Sequence, residues 1–243
     1  MFKIYYLYQS GFYIETKKAI FLFNYISGST PKFSKGKPIY IFINSCSSDH
    51  FNSDVFHLGA NRENVHYIVA KDRFSQKWQM KFFFKYVLEK ETRENIVWAE
   101  PNKNYLLNEV KIWTYNCTDT NNSLAYLVQC GDKIIFHAGY LNNWSWPNKT
   151  DYDNNIATKN FKKEVDKIGD ININAAFLVL NPAQQNMYAE GFDYFMRNLN
   201  VDAVFPMNFK DESKIIDFIL NDPVSEPYRE KIKYTTQYTY KEK

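Results

Sequence analysis

The chain has 243 residues, 45% hydrophobic and 23% charged, which excludes a disordered protein and suffices for a substantial core. Thirty Lys and Arg against 27 Asp and Glu leave a formal charge of +3 without a clustered basic face, so no nucleic-acid partner is expected. Cysteines number 3, with neither CxxC nor paired spacing, which argues against a disulfide framework and against a structural zinc cluster.

The opening stretch, MFKIYYLYQSGFYIET, carries polar residues early and does not have the pattern of a secretory leader. No apolar run approaches the roughly 20 residues that span a bilayer. A soluble cytoplasmic protein with no membrane partner is therefore the expectation. Lys3–Tyr8, Phe12–Glu15 and Ala19–Tyr25 are short β-branched or aromatic runs and predict strands. Residues 27–37 contain the densest basic stretch, Lys32 to Lys37, broken by Gly and Pro, and read as a solvated loop. Pro38–Ile43 is almost continuously apolar, as a strand buried on both faces should be. It stops at the polar run Asn44–His50, and in layered α/β folds ligands favour the C-terminal ends of such strands.

Ser53–Leu58 predicts a short helix with Asn52 or Ser53 as cap, and Val65–Val69 a strand. Trp78–Lys90 is so aromatic that neither the helical nor the strand period can be read from it. Ile96–Trp98, Tyr105–Leu107, Val110–Asn116, Leu124–Cys130 and Lys133–His137 form a second series of strands. Gly131-Asp132 makes the last pair a hairpin. Asn155–Ile168, Gln184–Leu199 and Ser213–Leu220 have helical spacing, with strands at Ala176–Leu180 and Ala203–Phe205. Pro223 and Pro227 precede a last extended piece, Lys231–Tyr240. No repeat and no linker divides the chain, so a single domain over residues 1–243 is expected, with two sheets and helices outside them.

Four strand-end segments carry a family resemblance. Ile41-Phe-Ile-Asn-Ser-Cys-Ser-Ser-Asp-His-Phe-Asn52 resembles the metal loop of the metallo-β-lactamase superfamily, His-x-His-x-Asp-His after a buried strand. Gly11-Phe-Tyr-Ile-Glu15 resembles that family's early hairpin. Ile135-Phe-His-Ala-Gly-Tyr-Leu141 resembles its strand ending in His-x-Gly-Asp, and Val204-Phe-Pro-Met-Asn-Phe209 its strand ending in Pro-Met-His. The matches come in family order and span residues 3 to 210, most of the chain. The resemblance implies a four-layer αββα sandwich, an α/β fold with two mixed sheets flanked by helices. It also implies metal-dependent hydrolysis, in which bound metals lower the pKa of water to give hydroxide near neutral pH.

The same comparison implies that this chain's metal site is dismantled. Ser45 and Ser47 stand where the family has its leading histidines, Tyr140 where it has the bridging aspartate, and Asn208 where it has the final histidine. Asp49, His50 and His137 match and are the candidate remnant ligands. Hydroxyl and amide groups are poor zinc ligands beside imidazole and carboxylate. The expectation is a degenerate member with no cofactor and little or no hydrolase activity. It would keep a small-molecule pocket lined by Ser45, Ser47, His50, His137, Tyr140, Trp144 and Asn208.

Two alternatives remain open. One is a mononuclear hydrolase holding a single zinc, iron or manganese on Asp49, His50 and His137. The other is a non-catalytic ligand- or partner-binding protein. Cys46 alternates with Ser45 and Ser47 and should face away from them. A nucleophilic Ser45 or Ser47 finds no Gly-x-Ser-x-Gly elbow in its support. Trp144 and Trp146 offer either edge packing or a stacking wall, and His57 and His66 read as structural.

Overall fold

The computed structural model describes residues 3–59, 64–118 and 121–234. The chain divides into two compact units, one built on the residues up to Lys103 with Asn121–Ser123, the other on the remainder from Asn104 to Tyr234.

In the first unit, β1 (Lys3–Tyr8), β2 (Gly11–Glu15), β3 (Ile20–Phe23), β4 (Ile39–Ile43), β5 (Val65–Ala70) and β6 (Ile96–Ala99) make one six-stranded sheet in that spatial order. The first three pair antiparallel, and β3 to β6 pair parallel. Gly11 is where the β1–β2 turn closes. A Cβ there would stand 2.9 Å from the Tyr8 carbonyl oxygen and 3.0 Å from that of Asn24. Three short helices, α1 (Val55–Gly59), α2 (Trp78–Phe82) and α3 (Lys90–Glu94), belong to this unit. α2 runs on into a π-helical turn, Phe83–Val87. Alternate residues of β4, Ile39, Ile41 and Ile43, join Tyr13, Val69, Phe56 and Phe84 in one buried cluster. The rings of Phe56 and Tyr67 stand 4.9 Å apart within it.

The second unit holds β7 (Asn104–Leu107), β8 (Val110–Asn116), β9 (Leu124–Cys130), β10 (Lys133–His137), β11 (Asn172–Ile173), β12 (Ala175–Val179), β13 (Asn200–Val201) and β14 (Val204–Met207). Its six-stranded sheet has the order β14-β12-β10-β9-β8-β7, and β11 pairs with β13 separately. β7 to β10 pair antiparallel and β10, β12 and β14 parallel, so this sheet too is mixed. The helices are α4 (Asp151–Asp166), α5 (Glu190–Asn198) and α6 (Lys214–Asn221). α4 begins where Thr150 accepts a hydrogen bond from the Asp153 N–H, a side-chain cap. Phe136 and Phe195 join β10 to α5 at 4.8 Å, and Phe177 stacks on Phe205 at 5.2 Å.

The strands read from the sequence are present with shifts of a residue or two at their ends. Of the stretch Trp78–Lys90, Trp78–Val87 is helical, with Phe84 in the cluster formed by β4 and β5, and Leu88 and Glu89 are extended before α3. Three expectations are corrected. Gln184–Leu199 is not one helix: a 3₁₀ stretch, Pro182–Met187, precedes α5, and Gln185 at φ 52° breaks the helical path. The Lys32–Lys37 stretch is not simply solvated, since Phe33 is buried and Lys37 reaches the Glu15 carboxylate at 2.7 Å. Lys231 ends a short 3₁₀ turn and Ile232 makes an isolated bridge to Val204, while residues 235–240 of the expected extended piece lie outside the described residues.

Candidate functional site

β4 ends in the loop Asn44–His50, and its first residues are held from two sides. The Asn44 N–H donates to Asn24 Oδ1 at 2.9 Å, and Asn24 Nδ2 donates to Ser10 Oγ at 3.1 Å. Ser45 Oγ donates to Asp72 Oδ2 at 2.5 Å, the Cys46 N–H reaches the same oxygen at 3.0 Å, and the Ser47 N–H donates to Ser45 Oγ at 3.2 Å. Asp72 lies just beyond the end of β5 and is buried. Its other oxygen accepts the Ser75 N–H at 2.7 Å, and its carbonyl accepts the Ser75 hydroxyl at 2.9 Å. One buried carboxylate thus ties together the loops after two parallel neighbours, β4 and β5, with charge-assisted bonds.

Cys46 turns away from these hydroxyls into the apolar cluster, as the alternation requires. Burial pushes its thiol well up, and the negative Asp72 adds to the effect. Asp49 and His50 sit next to each other with His50 Nδ1 3.7 Å from Asp49 Oδ1. The imidazole is 1% exposed and the carboxylate 50%. His66 lies on Tyr40, ring centres 5.1 Å apart, and burial lowers its pKa; His57 is exposed in the last turn of α1.

In the second unit His137 ends β10 fully buried, stacked 5.8 Å from Phe177. Its Nδ1 accepts the Gly139 N–H at 3.2 Å. Tyr140 follows, and its carbonyl accepts the Trp144 indole N–H at 2.9 Å. Trp144 and Trp146 lie nearly parallel, 6.1 Å apart at 11°. The same loop carries a network built mainly on amides, buried at Gln184, Asn142, Asn143 and Ser145 and reaching the exposed Glu190 carboxylate at its edge. Gln184, fully buried, donates to the carbonyls of Asn143 at 2.7 Å and Ser145 at 3.0 Å, and accepts from Asn142 Nδ2 at 2.7 Å. Asn143 Oδ1 accepts the hydroxyls of Ser145 at 2.9 Å and Thr158 at 3.1 Å, and its amide donates to Glu190 at 2.9 Å. Gly191 makes room for this loop, since a Cβ there would fall 2.0 Å from Asn142 Oδ1. Asn208, after β14, takes φ 65°, a left-handed geometry that asparagine tolerates better than most residues.

The sequence reading missed Asp72, Asn142, Asn143 and Gln184. Asp72 had a local signal, a strand followed by Asp-x-x-Ser, the pattern of a side-chain-closed turn. The buried amides had none, because asparagine is scattered throughout this chain.

A zinc centre requires three or more imidazole, thiolate or carboxylate donors converging on one point. Among the described residues no three His, Cys, Asp or Glu side chains stand in such a group. Ser45 is committed to Asp72, and the Cys46 thiol is turned into the core. The donor set does not fit a dinuclear centre.

No family model matches the chain, and no curated protein matches it either. Solved structures do. A metal-dependent hydrolase from Parabacteroides distasonis superposes with a TM-score of 0.64 at 10% identity, over 97% of this chain and 93% of that one. Igni18, a metallo hydrolase from the archaeon Ignicoccus hospitalis, gives a TM-score of 0.60 at 14% identity over 99% of each chain. YhfI of Bacillus subtilis, described as a metallo-β-lactamase fold protein, gives 0.51 at 10% identity over 86% and 84%. The chain has the metallo-β-lactamase fold. The fold class expected from the sequence, α/β with two mixed sheets and attendant helices, is the one observed. At such low identity the likeness extends to the fold and not to an activity. Within a metallo-β-lactamase fold the β4 loop and the end of β10 are where the sequence motifs placed metal ligands. Here Ser45 in the first is bonded to Asp72, and His137 Nδ1 in the second accepts the Gly139 N–H.

Proposed function

We propose that this chain is a metallo-β-lactamase-fold protein without a dinuclear metal centre, with little or no hydrolase activity, acting by binding rather than by hydrolysis. The observation that carries the reading is the 2.5 Å bond from Ser45 to the buried Asp72 carboxylate. A loop built to hold zinc keeps its donors aimed at the ion and braces them from behind. In this loop the carboxylate turns inward and braces the backbone itself, taking a hydroxyl and two N–H groups. The tightly bonded Asn142–Ser145 segment supports the reading for the second loop, since Gln184 meets the demand of its polar groups with neutral amide bonds. The stacked indoles of Trp144 and Trp146 offer a flat apolar face for a small molecule.

Elemental analysis of the full chain, purified without chelator and after incubation with zinc, iron and manganese, is the test. The expected result is a folded protein with well under one equivalent of any metal and no metal-dependent ester or phosphodiester cleavage. Two equivalents, removed by chelator together with activity, would overturn the reading. One firmly held equivalent lost in a His50→Ala or His137→Ala variant would replace it with the mononuclear enzyme.

A further inference from the structure

Between Arg73 and Leu88 the chain has no acidic residue, and while Met80, Phe83 and Phe84 of its helical part pack inward, four other apolar side chains there face outward. Trp78 is 73% exposed, Phe82 53%, Tyr86 63% and Val87 58%. Single exposed apolar residues are ordinary on a protein surface, but three exposed aromatics at a spacing of four along one segment are not. The row is a product of the backbone. Along an α-helix a spacing of four overshoots the turn, whereas across the wider π-turn it falls short. Because α2 passes into the π-turn Phe83–Val87, the two drifts oppose each other and Trp78, Phe82 and Tyr86 keep one line. Phe82 and Tyr86 are in ring contact at 5.1 Å.

Lysines accompany the row at the same spacing. Lys77, Lys81 and Lys85 each precede an aromatic by one residue, and the Lys85 ammonium lies 5.0 Å from the centre of the Tyr86 ring. Beside the row a cavity of about 480 Å³ has Phe84 and Trp98 in its wall and Lys81, Lys85 and Arg93 around it, together with Lys71, which is already paired with Glu100. Neighbouring carboxylates do not cancel this charge on the row itself. Glu100 is engaged by Lys71 at 2.7 Å and Glu94 faces Lys90 at 3.7 Å, while Glu89 and Glu91 fall after the π-turn.

We propose that the segment Lys77–Val87 docks the protein on an anionic lipid surface. Its aromatic side chains enter the headgroup–acyl boundary, its lysines meet lipid phosphates, and the adjacent cation-rimmed cavity takes a headgroup. Charge complementarity selects this occupant. Protein interfaces are depleted of lysine, whereas tryptophan and tyrosine beside lysine are the composition of a bilayer interface. A segment that lies on a bilayer needs no spanning helix, and among the described residues no helix is long and apolar enough to cross one. The expectation of no membrane partner rested on spanning alone.

Vesicle co-sedimentation of the full chain tests this. Binding is expected to vesicles of phosphatidylcholine with about 30% phosphatidylglycerol and not to phosphatidylcholine alone, and to weaken as salt rises from about 0.1 to 0.5 M. Trp78→Ala, Phe82→Ala and Tyr86→Ala remove exposed groups, so the melting temperature should hold while affinity falls roughly tenfold for each. Lys81→Gln and Lys85→Gln should each cost about fivefold. Equal binding to both vesicle types, or a triple aromatic variant that binds as the parent does, overturns the proposal. So does an absence of vesicle binding coupled to a dimer that the triple variant abolishes, which would assign the face to a second copy.

Discussion

The loop after β4 and the loop after β10 are bound down by opposite chemistries. The first is organised around one buried charge: the Asp72 carboxylate collects a hydroxyl and two backbone N–H groups. The second is organised around neutral amides, with Gln184 and Asn143 bridging carbonyls and hydroxyls. A carboxylate accepts from several donors at once but offers none, so it suits a loop that exposes N–H groups at the end of a parallel strand. An amide both donates and accepts, which suits a loop whose carbonyls also need partners. Each loop has the glue that its own backbone demands.

The comparison breaks most sharply at Asp72. Asp72→Ala leaves the Ser45 hydroxyl and the Cys46 and Ser75 N–H groups buried without their acceptor. Removing one centre of a buried charged network costs about 3–5 kcal/mol, read as a lower urea midpoint at unchanged slope. Asp72→Asn keeps the shape and one acceptor oxygen and should lose about half as much. If the alanine variant is as stable as the parent, the first loop is not held by charge and the contrast falls.

Gln184 is the matching test in the second loop. Gln184→Met preserves length and fills the space, yet strands the Asn142 amide and the carbonyls of Asn143 and Ser145. Three modest neutral bonds lost from a buried position should cost about 2–4 kcal/mol. The change should also alter near-ultraviolet circular dichroism from Trp144 and Trp146, whose loop this residue fixes. Loss of stability with an unchanged aromatic signal would separate the amides from the indole pair.

How much of this was legible in the sequence follows from the range of each interaction. Strands such as Ile39–Ile43 and Leu124–Cys130 were readable because burial on a sheet leaves a local pattern of β-branched and aromatic residues. The strand-end motifs placed Ser45, His50 and Asn208 in loops following β4 and β14, and His137 at the end of β10, where they stand. The bonding that decides what those loops do was not readable. Asp72 is 27 residues from Ser45, and Gln184 is 42 from Asn142, separations at which one sequence carries no pairing signal. The Trp78–Tyr86 row stayed hidden for another reason. Its aromatics face outward, against the usual rule, so their periodicity mixed with that of the buried Phe84.

The smallest expected effect lies at the opposite end of β4, where charge is used in a third way. Glu15, buried at the end of β2, meets Lys37 at 2.7 Å and Ser34 at 2.6 Å, with Lys3 at 3.7 Å. Burial alone would raise its carboxyl, but the bonds from Lys37 and Ser34 and the charges of Lys37 and Lys3 outweigh it and hold the pKa below 4.5. The folded state therefore binds this proton less readily than the unfolded chain. The resulting stability is fully present above the unfolded pKa near 4.5 and is lost as pH falls through the lower folded value. Glu15→Gln should lower stability by about 1–2 kcal/mol at pH 7. In thermal melts taken from pH 7 down to pH 3, the gap between parent and variant should narrow only below the ordinary glutamate range. A gap that stays constant to pH 3 would mean that Glu15 acts by packing, leaving Asp72 the one carboxylate whose charge β4 requires.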